Sequence, residues 1–328
     1  MSPVKSLFVV NPVSDFGRTL EIWKEARLVL PSLGLEFTEF ITSGSGQATA
    51  VTRQAIADGV CQIVAVGGDG TLNEVVNGYL NTDGKPVKPG ARLGLLPSGT
   101  GSDFKKTIGI KNARAALDSL ASDNTTYLDA GRADYTTAEG KGRSRFFINL
   151  VSIGLGGDVS GFVNAWRAHL PKWIGGKARF SLAAIRALGR YRNAEVDLVL
   201  DSARDLRSHS VGNSDLDNGR RLRVSSNLIV VGNGRFAGGG MLLAPDACPD
   251  DGFLDLVTTD GASRLDVIRE LPRIRRGGYI KNPKVSARRV RGVTIVGDRA
   301  LPLDIDGESE GWTPVTLTVV PSAVRFAL

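Results

Sequence analysis

Residues 61–78, CQIVAVGGDGTLNEVVNG, constrain the fold more than any other part of the chain. The apolar run at 63–66 is typical of a parallel strand that is covered on both faces. The glycines after it allow a tight turn, and Thr71 with Glu74 has the spacing of a capping box at a helix start. Such a helix N-terminus is suited to binding phosphate. The same glycine-rich sequence is also compatible with a purely structural turn between strand and helix.

The first 125 residues alternate strands with helices, which predicts a mainly parallel α/β layer. Residues 4–10, 35–42 and 91–97 are predicted to form three further strands, and helices are expected over about 19–30 and from the SGSGQATA segment at 43–50 onward. Ligands bind at the carboxyl ends of such strands, so we expect the four loops that follow them to converge on a ligand site. Neither a Walker A sequence nor a GxGxxG fingerprint follows any strand.

From about Thr125 the pattern changes to β-rich runs broken by Gly, Asn and Asp, which indicates an antiparallel sandwich. The fold class predicted is therefore α/β plus all-β, with an α/β domain over 1–125 and a β-sandwich domain over 126–309. Residues 310–328 are expected to pack back on the first domain. The polar run at 202–222 is expected to form an exposed hairpin loop or a partly disordered segment.

The composition excludes several classes of protein. Two cysteines argue against a disulfide framework or a thiolate metal site, and two histidines, His169 and His209, argue against a Ser-His-Asp hydrolase. No apolar run approaches the roughly 18 residues that span a bilayer, and Pro12 interrupts the N-terminus too soon for a signal peptide. We therefore expect a cytoplasmic globular protein, and its net charge of +7 favours an anionic partner.

Two basic stretches contain much of that charge. Residues 163–192 hold seven Lys or Arg and no acid, and residues 269–292 hold nine against Glu270 alone. Aromatic residues interleaved with the cations of the first stretch suit an anionic membrane surface. The alternative is a solvated helix whose apolar stripe, Leu182, Ile185 and Leu188, packs on the sandwich. No nucleic-acid motif accompanies the charge, so no nucleic-acid partner is expected.

Four segments, in order and spacing, resemble the diacylglycerol kinase catalytic-domain superfamily, which includes soluble bacterial lipid kinases and the sphingosine and ceramide kinases. They are Asn11-Pro12, GGDGTLNEVVNG at 67–78, LLPSGTGSDF at 95–104 and LDIDGE at 303–308. The resemblance covers essentially the whole chain. It implies a kinase that uses ATP and Mg²⁺ to phosphorylate a lipid hydroxyl, with diacylglycerol as the acceptor and the sandwich domain as the lipid-binding domain.

The resemblance also implies which residues bind the nucleotide. Backbone N–H groups of the glycine turn would face phosphate, and Asp69 would engage Mg²⁺ directly or through water. The implied nucleotide-binding residues are Asn11, Thr42, Gly67, Gly68, Asp69, Gly70, Thr71, Asn73, Glu74, Ser98, Gly99 and Thr100. Ser102 stands where family members usually have Asn, and Asp15 stands where they more often have glycine.

The acidic segment at 303–308 is the candidate for the catalytic base. Strand alternation would put Asp304, Asp306 and Glu308 on one face, where crowding raises the pKa of at least one carboxyl. An acidic strand end before a turn is the simpler interpretation. The resemblance places the base on Asp306, supported by Glu308, and gives no role to Asp304.

A second metal site is implied by the segment PDACPDDG at 245–252, which resembles the family's DDG turn. By position, the side chain of Asp251 and the backbone carbonyls of Cys248 and Phe253 would hold a structural Mg²⁺. Pro249 is an unusual residue within this turn.

Two alternatives to a diacylglycerol kinase stay open. The acceptor could be a sphingoid base or another lipid alcohol, or the chain could be a membrane-recruited nucleotide-binding regulator without turnover. The expected partners are a lipid substrate and the inner face of an anionic membrane, bound peripherally, and a homodimer stays open.

Overall fold

A computed structural model describes residues 4–98, 102–137, 139–166, 176–206 and 219–328. The chain divides into two compact units, unit 1 with Met1–Ala130 and Pro321–Leu328, and unit 2 with Gly131–Val320. The sequence predicted divisions after residues 125 and 309. The functional roles assigned to the two domains stay predictions.

Unit 1 contains a parallel sheet with the strand order β2-β1-β3-β4. Its strands are β1 (Val4–Val10), β2 (Leu35–Ile41), β3 (Gln62–Gly67) and β4 (Arg92–Pro97). Every residue of β3 and β4 is buried, as the unbroken apolar runs of these strands predict for a sheet covered on both faces. Near the chain end, Phe326 pairs with Leu93 of β4 in parallel register.

Five helices of unit 1 connect or follow these strands. They are α1 (Arg18–Val29), α2 (Gln47–Ala57), α3 (Asp69–Tyr79), α4 (Phe104–Thr107) and α5 (Ala113–Ala121). Three aromatic rings fix α1 against the sheet, with the ring centroids of Phe8 and Trp23 4.9 Å apart and those of Trp23 and Phe37 5.8 Å apart. The predicted α/β layer is confirmed.

Unit 2 is built on antiparallel strand pairs. In chain order its strands are β5 (Thr125–Thr136), β6 (Gly142–Phe147), β7 (Leu150–Gly154), β8 (Ala194–Asp201), β9 (Arg204–Asp205), β10 (Arg220–Ser226), β11 (Leu228–Gly232), β12 (Phe236–Ala237), β13 (Met241–Leu242), β14 (Leu254–Thr259), β15 (Val285–Val290), β16 (Gly292–Gly297), β17 (Pro302–Ile305) and β18 (Glu308–Ala327). Strands β5 and β18 each run from one unit into the other.

Two groups of strands form the sandwich-like part of unit 2. One group has the order β17-β7-β11-β14-β15-β9, and the other pairs β6 with β5, β5 with β18, β18 with β16, β16 with β8 and β8 with β10. Strand β8 buries every second residue, which is the alternation of a strand with one face on a core. Both groups contribute to one large apolar cluster, so the predicted sandwich is confirmed. Of the polar run at 202–222, residues 207–218 lie outside the described part of the chain.

Three helices interrupt the strands of unit 2: α6 (Leu155–Trp166), α7 (Gly176–Gly189) and α8 (Arg264–Arg275). The predicted inward stripe on α7 is wrong for two of its three residues. Ala183 and Ala187 are buried in the cluster that α7 shares with α6, whereas Leu182 and Ile185 are exposed. Small side chains face inward because they let the helices approach, which turns the larger ones outward. Within the described residues, no helix is long and apolar enough to cross a membrane.

Candidate functional site

The residues that follow β1–β4 lie at one edge of the unit 1 sheet, as the sequence predicts. Asn11 N donates to Val66 O at 3.1 Å, and Ser98 N donates to Gly67 O at 3.0 Å. These bonds continue the parallel ladder beyond the strand ends, and Thr42 stands at the corresponding point after β2. The four loops are therefore held side by side before any ligand is considered.

Thr71 joins the loop after β1 to the first turn of α3. Asn11 Nδ2 donates to Thr71 Oγ1 at 3.0 Å, and the Ser14 hydroxyl lies 3.5 Å from the same oxygen. A second cross-link, from Thr19 Oγ1 to Ser98 Oγ at 2.7 Å, ties the region after β1 to the loop after β4. Both bonds join residues far apart in the chain, so they fix the loops relative to one another.

Glu74 holds the loop after β2. Its Oε1 accepts from Gly46 N at 3.0 Å, and its Oε2 accepts from Ala48 N at 3.1 Å. These N–H groups lie at the start of α2, whose N-cap residue Gly46 has no side chain to satisfy them. Glu74 therefore acts as the N-terminal cap of a neighbouring helix.

Asp69 does the same for the loop after β4. Its Oδ2 accepts from Asp103 N at 2.9 Å and its Oδ1 from Phe104 N at 3.1 Å. The carboxylate thereby fixes the beginning of α4. It lies half-exposed at the first residue of α3.

The predicted capping box of Thr71 and Glu74 is wrong. The N-cap of α3 lies three residues earlier, at Gly68, which makes no side-chain bond, and the helix begins at Asp69. The Thr71 hydroxyl and the Glu74 carboxylate are directed to other loops, because those loops present unsatisfied N–H and amide donors. The N-cap residue Gly68 makes no side-chain bond to the first turn of α3, and this helix end has the positive dipole that favours an anion.

The remaining predicted nucleotide-binding residues include two buried polar residues and two residues outside the described part of the chain. Asn73 is buried and packed within α3, and Ser98 is buried after β4. Ser102 Oγ is buried without a hydrogen-bond partner among the described residues. Gly99 and Thr100 lie outside the described residues.

Replacing Gly67 with Ala is expected to lower the free energy of unfolding by about 1–3 kcal/mol. A Cβ at Gly67 would lie 2.5 Å from Thr71 Oγ1 and 2.8 Å from its Cβ, so the strand end and α3 would have to separate. Urea unfolding of this variant should be compared with Gly44→Ala, where a Cβ meets nothing within 4 Å. Equal stability of the two variants would contradict this packing argument.

In unit 2, the DGE segment forms a hairpin turn between β17 and β18. Asp306 has a φ of 51° and Gly307 a φ of 91°, as in the two-residue turns that favour Asp-Gly. The prediction that Asp304, Asp306 and Glu308 share a strand face is therefore wrong, because Asp306 leaves the strand. The simpler interpretation, an acidic strand end before a turn, describes the backbone.

The Asp306 carboxylate is buried and accepts three backbone N–H bonds. The donors are Ile148 N at 2.8 Å, Asn149 N at 3.0 Å and Leu150 N at 2.9 Å, and Asp306 N donates to Leu150 O at 3.0 Å in return. A carboxylate has about four acceptor sites, so most of its capacity is used in fixing its orientation. Asp306 is thus the anchor of the segment that leads into β7.

Asp304, to which the sequence assigned no role, is the carboxyl with the perturbed pKa. The pKa of Asp304 is raised to about 7, chiefly by burial and also by the nearby charges of Asp306 and Glu308, against the lowering effect of hydrogen bonds from Ser160 and Gly307. Gly307 N donates to its Oδ1 at 2.8 Å, and the Ser160 hydroxyl donates to its Oδ2. The expected crowding of three carboxyls is therefore present, and its effect falls on Asp304.

Glycine brings α6 close enough for this contact. A Cβ at Gly157 would lie 2.3 Å from Pro302 O, so only glycine allows α6 to approach β17 to this distance. Ser160 follows three residues later on the same side of the helix and reaches Asp304. The Asp306-Gly307 pair in the sequence is typical of such a turn, whereas nothing in the sequence indicated the Ser160–Asp304 contact.

The acidic turn proposed for a structural Mg²⁺ contains a guanidinium partner. Asp251 Oδ2 lies 3.1 Å from Arg289 Nη1, and its Oδ1 accepts from Phe253 N at 3.0 Å. Cys248 Sγ donates to Asp250 Oδ1 at 2.9 Å. Burial raises the pKa of Asp251, and the Arg289 charge lowers it. Arg289 Nε also lies 3.3 Å from Asp255 Oδ1, so a single guanidinium charge is shared between two carboxylates.

No cluster of three or more His, Cys, Asp or Glu side chains arranged as metal ligands occurs among the described residues. The predicted Mg²⁺ site has only one such side chain, that of Asp251, together with two backbone carbonyls. The absence of a three-residue cluster therefore does not test this site, which stays a prediction.

The chain matches two family models. The first, the diacylglycerol kinase catalytic domain, covers residues 5–133, and the second, the YegS C-terminal NAD kinase beta sandwich-like domain, covers residues 149–328, more than half of the chain. Two curated relatives named diacylglycerol kinase come from Mycobacterium tuberculosis strain H37Rv and Staphylococcus aureus strain Newman. The first is 26% identical over 97% of this chain and 93% of its own length, and the second is 29% identical over 94% and 88%.

A solved structure from Bacillus anthracis str. Sterne, provisionally described as a diacylglycerol kinase, covers 100% of this chain and 98% of its own, with a TM-score of 0.73 and 23% identity. This likeness shows the fold. The two family models establish the relationship that the four motifs indicate. The chain belongs to the diacylglycerol kinase catalytic-domain superfamily, in the branch whose C-terminal half is the YegS-type sandwich domain.

Proposed function

We propose that this protein is an ATP-dependent lipid kinase that phosphorylates the hydroxyl of diacylglycerol and forms phosphatidic acid. The observation that carries the proposal is the catalytic-domain match over residues 5–133, in which Asp69, Thr71 and Glu74 of the signature fix the surrounding loops. The names of the relatives support diacylglycerol as the acceptor. The alternative acceptors have no observation in their favour.

The nucleotide is assigned to the loops of unit 1. The start of α3, where the N-cap residue is a glycine, offers backbone N–H groups and the positive end of a helix dipole to phosphate. Asp69 and Glu74 cap the starts of α4 and α2, so they fix the loops after β4 and β2 relative to α3. Preorganised donors of this kind stabilise charge on a transferring phosphoryl group without reorganisation.

Proton removal is assigned to Asp306, with Glu308 half-buried beside the turn. In the reaction, the acceptor oxygen forms a bond to the γ-phosphorus as the bond to the β–γ bridging oxygen breaks, and ADP leaves. The hydroxyl proton passes to the Asp306 carboxylate. Three N–H donors fix this carboxylate, which gives a base with one orientation.

Mg²⁺ is part of the proposal through Asp69. When bound, the ion would neutralise charge on the phosphates. A half-exposed carboxylate that two N–H donors hold in position suits an ion that keeps several of its waters. No step is assigned to an ion at Asp251.

The test is transfer of radiolabelled phosphate from ATP to diacylglycerol, sphingosine, ceramide and a total bacterial lipid extract, with Mg²⁺ and after chelation. We expect labelled phosphatidic acid with diacylglycerol and Mg²⁺ only. Measurable ATP binding without a labelled product from any lipid would instead favour the regulator without turnover.

A lipid acceptor requires the enzyme to work at a membrane surface. We therefore extend the proposal to peripheral association with the inner face of the membrane, where ATP is available. The net charge of +7 supports attraction to anionic lipid.

A further inference from the structure

Helices α7 and α8 of unit 2 carry the same exposed pattern, Leu-x-x-Ile-Arg. On α7 it is Leu182, Ile185 and Arg186, and on α8 it is Leu265, Ile268 and Arg269. We call these two sets the paired triplets. Positions i, i+3 and i+4 lie on one side of a helix, so each triplet forms a short stripe.

The apolar members of the paired triplets are unusually exposed for their type. Leu182 is 46% exposed and Ile185 66%, while Leu265 is 60% exposed and Ile268 48%. Each helix packs inward through a different set, Ala183 and Ala187 on α7 and Ile274 on α8. The stripes are therefore not needed to hold the helices on the unit.

The two helices are neighbours. Val267 of α8 packs against the apolar cluster of α6 and α7. Arg264 Nε donates to Tyr191 O at 3.1 Å, just beyond the end of α7. The paired triplets thus belong to one region of unit 2.

The charge of this region is positive. Both acids of α8 are neutralised locally, since Asp266 pairs with Lys284 at 2.9 Å and Glu270 pairs with Arg273 at 2.8 Å. The sequence of α7 contains no acid. Arg186 lies 5.0 Å from the Phe162 ring centroid, a contact that leaves its charge intact. Exposed apolar side chains flanked by arginine are typical of an interfacial helix.

We propose that the paired triplets are the membrane-docking surface of this protein, with leucine and isoleucine entering the acyl boundary and arginine contacting anionic headgroups. The inference rests on the proposed function for its choice of a lipid surface. A second copy of the chain fits less well, because a two-fold contact through this face would bring like arginines together.

Sedimentation with vesicles tests this surface on the full chain, without ATP. The probes are vesicles of phosphatidylcholine alone and with phosphatidylglycerol. The double variant Leu265→Gln and Ile268→Gln should lower the partition coefficient at least about tenfold on vesicles with phosphatidylglycerol. The double variant Arg186→Gln and Arg269→Gln should lower it by about fivefold for each arginine on those vesicles, with little change on phosphatidylcholine alone.

Leu28→Gln is the matched control, because Leu28 on α1 is 79% exposed and lies in unit 1. It should bind vesicles like the wild type. Equal binding by the Leu265/Ile268 variant and this control would overturn the proposal, as would dimerisation that the same variant abolishes without loss of vesicle binding.

Failure of this surface and failure of the kinase assignment are distinguishable. A variant that keeps activity on a dispersed short-chain diacylglycerol but loses it on vesicles supports the surface. Absence of any lipid phosphorylation would overturn the kinase and leave the vesicle-binding result standing on its own.

Discussion

Replacing Asp306 with Asn is expected to lower the rate of phosphoryl transfer to diacylglycerol by about 10²- to 10⁴-fold, the usual contribution of a general base. The carboxamide is not a base, and its NH₂ group replaces one of the two oxygens, so one or two of the three N–H donors at residues 148–150 lose their acceptor. Initial rates with saturating ATP measure the effect. Affinity for ATP should change little, because the nucleotide is assigned to the loops of unit 1.

The same substitution disturbs an anchor, so folding must be measured beside activity. Loss of a buried N–H partner costs about 1–3 kcal/mol of stability, which urea unfolding will detect. Gly94→Ala serves as a control with an expected loss of stability and an unchanged base, because a Cβ at Gly94 would lie 2.2 Å from Leu120 Cδ2 and neither residue is a predicted site residue. If Asp306→Asn lost no more activity than Gly94→Ala, or retained full activity, the assignment of the base would be wrong.

Much of unit 1 could be predicted from sequence because its signals are local. Buried parallel strands read as unbroken apolar runs, and glycines mark the turns that follow them. The edge of the sheet at which the loops meet follows from strand direction alone. The partners of Asp69 and Glu74 could not be predicted, since their N–H donors come from loops 26–35 residues away in the chain.

Two predictions about unit 2 were wrong, the shared strand face of the three carboxyls and the inward stripe of α7, and each has its own physical cause. Period-two alternation gives the faces of a strand only while the strand continues, and the Asp306-Gly307 turn interrupts it. Helical periodicity identifies a stripe but not the direction in which it points. On α7 the two alanines and the two larger residues have equally good spacing, and only packing against α6 decides between them.

The sequence could not show that the raised pKa at the candidate site belongs to Asp304. A carboxyl two residues before a motif reads as an ordinary polar residue of a strand end. Its burial depends on the close approach of α6, which Gly157 permits at Pro302. Desolvation is the largest cause of its raised pKa, so the effect arises from tertiary packing and not from its neighbours in sequence.

Stability should therefore depend on the ionisation of Asp304. Its folded pKa of about 7 lies above the ordinary value of 3.8, so the folded state keeps a proton that the unfolded state has released between these pH values. The free energy of unfolding should then fall as pH rises from about 4 to about 7, by at most about 1.4 kcal/mol per pH unit, and this contribution should level off above the folded pKa.

Asp304→Asn removes that contribution and keeps the shape of the side chain. Its Oδ1 can still accept from Gly307 N, and its NH₂ can donate to the Ser160 hydroxyl. Urea unfolding at pH 5, 6, 7 and 8 should show the variant gaining stability over the wild type as pH rises. Asp83→Asn, at an exposed turn, should follow the wild type throughout. Parallel profiles for wild type and Asp304→Asn would mean that Asp304 is already ionised in the folded protein at pH 5, because a buried neutral carboxyl must produce a difference across this range.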